Sequence, residues 1–213
     1  MLAVKSVFTV VVVVLLLNGC MPTQPLAVST SSNIPVTVRR GEVVISTLPP
    51  SGWQAFIDGT HLILTNQRSD PAHSVTINVW VPDEDVMSSI PKETGTSTAE
   101  VLREITNTPR LIGNAVASTP QPFRWMHYDG AYYLLNNGTD ATTLVIALTP
   151  AEPAQMIVIN ITAKEAVLHR LSEVAGAALE SVLINQQPLG ADLLSMLPQP
   201  LEVPNSSAIS ESS

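Results

Sequence analysis

The chain has 213 residues, 45% of them hydrophobic and only 13% charged, with a formal net charge of −8. That acidic balance argues against a protein that tracks a nucleic-acid backbone and against electrostatic attachment to anionic lipid. A single cysteine, Cys20, excludes an intrachain disulfide, so an exported domain of this sequence must be held by its core.

Lys5 supplies a short positive segment, and Val7 to Leu17 is apolar apart from Thr9, running into Leu17-Asn18-Gly19-Cys20. This is the layout of a secretory signal with a small residue before the cut. Spanning a bilayer takes about 20 apolar residues, and this shorter run is followed at once by Asn18, Gly19 and Pro22. The tetrapeptide resembles the lipobox of bacterial lipoproteins, with Asn18 standing where that motif usually carries Ala, Ser or Thr. The resemblance implies removal of residues 1–19, a diacylglyceryl thioether on the Cys20 sulfur, a palmitate-type acyl anchor and an extracytoplasmic location. Two acyl chains make such attachment stable where one is marginal. The competing reading is an ordinary secreted protein with a free thiol. Loss of Lys5 with the signal carries the formal charge from −8 to −9.

Residues 20–41 are rich in Pro, Thr and Ser without apolar periodicity, the composition of a flexible spacer of about 60–70 Å when fully extended. A single domain is expected over 42–196, and 197–213 reads as a disordered tail. Within the domain, Glu42 to Ser46 is the first expected strand. Trp53 to Ile57 and Thr60 to Thr65 form a hairpin about Asp58-Gly59. Ser74 to Val81 alternates, with Val75, Ile77, Val79 and Val81 on one side, as a strand with one face on a core does. Ser97 and Glu100 make a capping box for a short helix that ends before Pro109. Leu111 to Ala117 is a further expected strand. A meander follows over Phe123 to Tyr128, Ala131 to Leu135 and Thr142 to Leu148, turned by Asp129-Gly130 and by Asn136-Asn137-Gly138. Gln155 to Ile161 is the last expected strand. Thr162 and Glu165 then cap a helix of about 22 residues carrying Val167, Leu168, Leu171, Val174, Ala175, Ala178, Leu179 and Val182 at helical spacing.

The expected class is therefore α+β: an antiparallel sheet of about six to seven strands packed by one short and one long α-helix. The order of Pro50-Ser51-Gly52-Trp53, hairpin, strand, helix, meander and terminal helix resembles the α/β sandwich of PsbP-like proteins over about residues 42–186. That resemblance implies an extrinsic, membrane-associated binding or assembly factor and assigns no functional residue.

The densest chemical cluster runs from Phe123 to Tyr133. Trp125, His127, Tyr128, Tyr132 and Tyr133 form the candidate interaction patch, suited to a sugar ring or a partner's side chain. With a turn at Asp129-Gly130, Trp125 and His127 would share one face and Arg124 and Tyr128 the other. The plainer reading is that these aromatics pack in the core. Asp83-Glu84-Asp85 lacks the Gly-shaped, oxygen-rich loop of a calcium site and reads as a solvated acidic turn. His61, His73, His127 and His169 have no metal-ligand spacing. No nucleophile elbow, phosphate-binding loop or zinc-protease motif occurs. No catalytic, cofactor or metal residue is assigned, and the only modification site is Cys20. The sequence favours a non-catalytic envelope binding or assembly factor with a protein or glycan partner. A cell-envelope hydrolase with dispersed catalytic residues near 123–133 is the alternative.

Overall fold

The computed structural model describes residues 34–66, 74–83, 87, 97–108, 112–113, 115–136, 141–150, 155–190, 192–197 and 201. The Cys20 motif, His73, Glu84, Asp85 and the Asn137-Gly138 turn lie outside the described residues.

Two antiparallel sheets account for twelve strands among the described residues. The smaller sheet pairs β1 (Val36–Arg40), β2 (Val43–Thr47), β11 (Val182–Ile184) and β12 (Gln187–Pro188) in that order. The larger runs through β3 (Gln54–Asp58), β4 (His61–Thr65), β5 (Val75–Trp80), β10 (Ile157–Lys164), β9 (Ala141–Pro150) and β8 (Tyr128–Asn136). The free edge of β8 is shared by β6 (Val116–Ala117) and β7 (Gln121–Trp125). Helix α1 (Thr98–Thr106) lies between β5 and β6 in the chain, while α2 (Glu165–Leu168), α3 (Leu171–Glu180) and α4 (Asp192–Ser195) are C-terminal.

Alternation along the central strands feeds two cores. Val75, Ile77 and Val79 of β5, Leu144, Ile146 and Leu148 of β9 and Ile157, Ile159 and Ile161 of β10 face the smaller sheet and the C-terminal helices. There they meet Val43, Ile45, Ala175, Leu179 and Val182. The opposite side of β8 to β10 presents Ala131, Tyr133, Leu135, Val145, Ala147 and Val158 to Ala99 and Leu102 of α1. Strands buried on both faces read as almost unbroken apolar runs, which is why Leu144 to Leu148 carries no polar residue. β5 keeps its alternation because only one of its faces is fully covered.

The expected α+β class with one sheet, one short helix and one long helix is overturned by this architecture. The 22-residue helix is divided. Thr162 stays in β10, opposite Thr143 with their hydroxyls 2.9 Å apart, so it caps nothing. Lys164 occupies the N-cap of α2 with no side-chain cap bond. His169 and Arg170 then break the helix, and Arg170 Nε donates to Glu173 Oε2 at 2.9 Å in the first turn of α3. Leu168 and Leu171 are three apart in a continuous helix and across this break alike, so apolar spacing does not register the interruption. Val182, which continues the helical pattern, enters the smaller sheet opposite Thr47. β1 also lies within the segment expected as spacer, and Leu197 and Leu201 pack into the main core from the segment expected as tail.

The short helix follows its sequence signal. Ser97 Oγ accepts from the Glu100 amide at 3.3 Å, and the Glu100 carboxylate accepts from the Ser97 amide at 2.8 Å. The Ser97 amide foremost, and then the Ser97 hydroxyl, which donates to the same Oε2 at 2.9 Å, hold the Glu100 carboxyl below the usual carboxylate range.

Burial under α1 pushes the Tyr133 phenol up to about 12 from 10.0. Between those values the unfolded chain loses a proton that the folded chain keeps. The contribution is therefore intact below pH 10 and is lost as pH rises through about 12, at most about 2–3 kcal/mol. Tyr133→Phe should flatten the fall in stability over that interval, read by urea denaturation at stepped alkaline pH.

Candidate functional site

The hairpin that carries the predicted patch is built in a different register from the one its dipeptides suggest. Trp125 pairs with Tyr128 and Phe123 with Gly130, which puts Met126 and His127 in the two-residue turn and Asp129-Gly130 inside β8. Gly130 is needed there for close approach: a Cβ on it would lie 2.7 Å from Phe123 Cζ. The cost is Met126 at φ 52, a left-handed conformation unfavourable for a side-chain-bearing residue by about 1–3 kcal/mol. Offsetting it, Trp125 and Tyr128 enter the core together, at about 1.5–3 kcal/mol for each large apolar side chain buried.

This register disperses the candidate patch. Trp125, Tyr128 and Tyr132 lie on one face of the hairpin, buried in the main core, whereas Tyr133 faces α1 on the other. His127 alone is exposed, at the turn. A graded stack runs inward from it: His127 to Tyr128 at 4.3 Å between centroids, then Tyr128 to Trp125 at 5.5 Å and nearly parallel. Trp125 Nε1 donates to Asp192 Oδ2 at 3.2 Å, tying the stack to α4. Burial raises the Tyr128 phenol above its ordinary value.

A second turn meets the first. Asn185 and Gln186 close β11 to β12 with φ 49 and 71, the two positive values of a type I′ hairpin turn. The Asn185 amide donates to Val44 O and its Oδ1 accepts from the Val44 amide, both at 2.8 Å, so the turn is clamped to β2. Between the two turns lies a cleft of about 180 Å³. Val43, Ile157 and Ile184 form its apolar floor, His127, Asn185 and Gln187 its polar rim, and Tyr128 and Pro150 its walls. The sequence signal for the second half of this site was Asn185-Gln186 between short apolar runs, obscured by the helical spacing that Val182 continues.

Asp129 does not line the cleft. Its Oδ2 accepts from the Thr98 amide at 2.8 Å and its carbonyl from Thr98 Oγ1 at 3.0 Å, so it docks the start of α1 onto β8. Asp83 pairs with Arg40, joining the end of β5 to the turn of the smaller sheet. Among the described residues no three His, Cys, Asp or Glu side chains gather as metal ligands. His61 stacks on Trp80 at 5.0 Å and bonds Asn78 from its Nδ1, and His169 caps α2. Beside that stack, buried Trp80 Nε1 and Asn160 Oδ1 find no hydrogen-bond partner among the described residues.

No protein-family model and no curated protein sequence matches the chain. Solved structures with a similar chain course include LpqN of Mycobacterium tuberculosis, described as involved in cell envelope biogenesis. It is 15% identical, with a TM-score of 0.39, over 71% of this chain and 90% of that one. The Saccharomyces cerevisiae Ran-binding protein Mog1p is 11% identical at a TM-score of 0.37, over 71% of this chain and 83% of its own. A point mutant of Mog1 is 12% identical at 0.39, over 78% and 90%. These are distant likenesses of backbone and carry no inference about activity.

Two substitutions test this geometry. Asp129→Ala leaves the buried Thr98 amide without its acceptor and should cost about 1–3 kcal/mol, with faster amide exchange concentrated in α1. Gln186→Gly relieves a left-handed side-chain residue in a type I′ turn and should stabilise by about 1 kcal/mol, measured as a raised urea midpoint at unchanged slope.

Proposed function

We propose that this protein is a lipid-anchored, non-catalytic binding or assembly domain at the extracytoplasmic face of a bacterial membrane. The observation that carries the reading is the run from Lys5 through the apolar Val7 to Leu17 segment into Leu17-Asn18-Gly19-Cys20. No helix among the described residues is long and apolar enough to cross a membrane, and the two acyl chains a lipobox implies would hold such a domain stably.

The cleft supports the binding half of the proposal. Its floor is apolar, its rim presents an imidazole and two amide-bearing side chains, and its volume suits one side chain or one sugar ring rather than an extended substrate. The hydrolase alternative would have His127 and Asp129 act together. Instead Asp129 is bonded to Thr98 away from the cleft, and the nearest ring to His127 is the buried Tyr128. The reading takes an envelope protein or glycan as the partner, involves no nucleic acid, and requires no cofactor.

Cys20→Ser should abolish incorporation of labelled palmitate and move the protein from the membrane fraction to the soluble one. Retention of the variant in washed membranes would overturn the lipid anchor. Affinity capture of the lipidated protein with His127→Ala as the comparison tests the binder: a partner held through the cleft should be depleted by about tenfold or more, the effect of losing a single interface anchor.

A further inference from the structure

The chain reaches the domain at one end of the smaller sheet, and the cleft lies at the other. β1 starts at Val36 opposite Thr47 and runs to the turn at 41–42, beside Val43 and Asn185 of the cleft. The five-residue span of β2 separates the two ends by roughly 17 Å. Ile34, just before β1, and Leu48, just after β2, extend that first end and are 70% and 49% exposed. Pro49 and Pro50 follow, and the Trp53 amide donates to Pro50 O at 3.0 Å, holding a half-buried indole beside the exposed Ser51 and Gly52.

The segments that carry these residues are themselves uncharged, although exposed Glu180 of α3 lies beside this end, where the next residue, Ser181, bonds Thr47 side chain to side chain at 2.8 Å. No Asp, Glu, Lys or Arg occurs between positions 5 and 39 or between 42 and 58, although the whole chain holds 28 of them. Segments that rest among lipid headgroups and the outer acyl chains are favoured when they bring no unpaired charge, and tryptophan is favoured at that depth. Thirteen residues separate Cys20 from Ile34, about 45 Å at full extension. With the acyl chains embedded, this end is the part of the domain held nearest the bilayer, where a high effective concentration lets a weak apolar contact persist.

We propose that Ile34, Leu48 and Trp53, with the prolines between them, rest on the surface of the bilayer that the Cys20 acyl chains enter, which turns the cleft away from the membrane. The inference rests on the lipid-anchor reading above. The partner of the apolar end is the neutral interfacial layer of the lipid, and the partner of the cleft is then reached on the side facing away from it.

Because the Cys20 sulfur is held in a thioether, a cysteine introduced elsewhere is the only free thiol for a fluorescent label. Lipidated full-length protein carrying Ser51→Cys or Glu42→Cys, each labelled, is reconstituted in phosphatidylcholine vesicles containing acyl-brominated lipid. The label at position 51 should be quenched at least about twofold more than the label at 42. Ile34→Ser with Leu48→Ser should erase that difference while the protein still sediments with the vesicles and keeps its circular dichroism spectrum. Equal quenching at the two positions with sedimentation intact overturns the contact and leaves the anchor standing. A difference that survives the double substitution overturns the role of these two side chains. Failure of the lipidated protein to sediment overturns anchor and contact together.

Discussion

Burial on both faces of β8, β9 and the first half of β10 is the constraint around which this structure is arranged. Three long antiparallel strands with Leu, Ile and Tyr on one side and Ala, Tyr, Leu and Val on the other cannot leave either side in water. One side is covered by the smaller sheet and the C-terminal helices, and the other by α1. Neither cover stays in place by apolar contact alone. Asp129 takes the first amide of α1, and Asn185 bonds both backbone groups of Val44 to lock the last hairpin onto β2. These are hydrogen bonds between residues 31 and 141 positions apart in the chain, and each orients a larger apolar surface.

The cleft is a by-product of the same requirement. Where the two sheets converge, the turn at Met126-His127 and the turn at Asn185-Gln186 meet over Val43, Ile157 and Ile184. Three residues with side chains hold left-handed conformations in these two turns. Such strain persists where surrounding structure over-determines it. Here the surroundings are the paired burial of Trp125 and Tyr128 and the clamp on Val44. His127 is left at the outer end of an aromatic stack whose inner members are fixed in the core.

Much of the larger sheet was legible from local pattern. β5 alternates, the Ser97–Glu100 capping box forms as its residues predict, β9 holds the apolar run Leu144 to Leu148, and β10 alternates from Ile159 on. What failed was local signal that tertiary pairing overrode. Asp129-Gly130 is a good turn dipeptide, yet Gly130 serves under the Phe123 ring and Asp129 docks a helix, so the turn moves to Met126-His127. Thr162 and Glu165 match a capping box, but Thr162 is more fully bonded as a ladder residue opposite Thr143. Val182 fits the helix period and the sheet equally well. Only the availability of an edge on β2 decides between them.

By itself the sequence determined what is read over consecutive residues: an apolar N-terminal run ending at Cys20, the exclusion of an intrachain disulfide, the acidic charge and the amphipathic strands and helix cap. Spacing along a chain is enough for these because each is read over a few neighbouring positions. The second sheet, the divided helix, the side of the hairpin on which each aromatic falls and the pairing of two remote turns into one cleft were decided only by the tertiary structure. Each of those depends on which surfaces are left to be covered once the central strands have paired, and that is a property of the assembled sheet rather than of any segment within it.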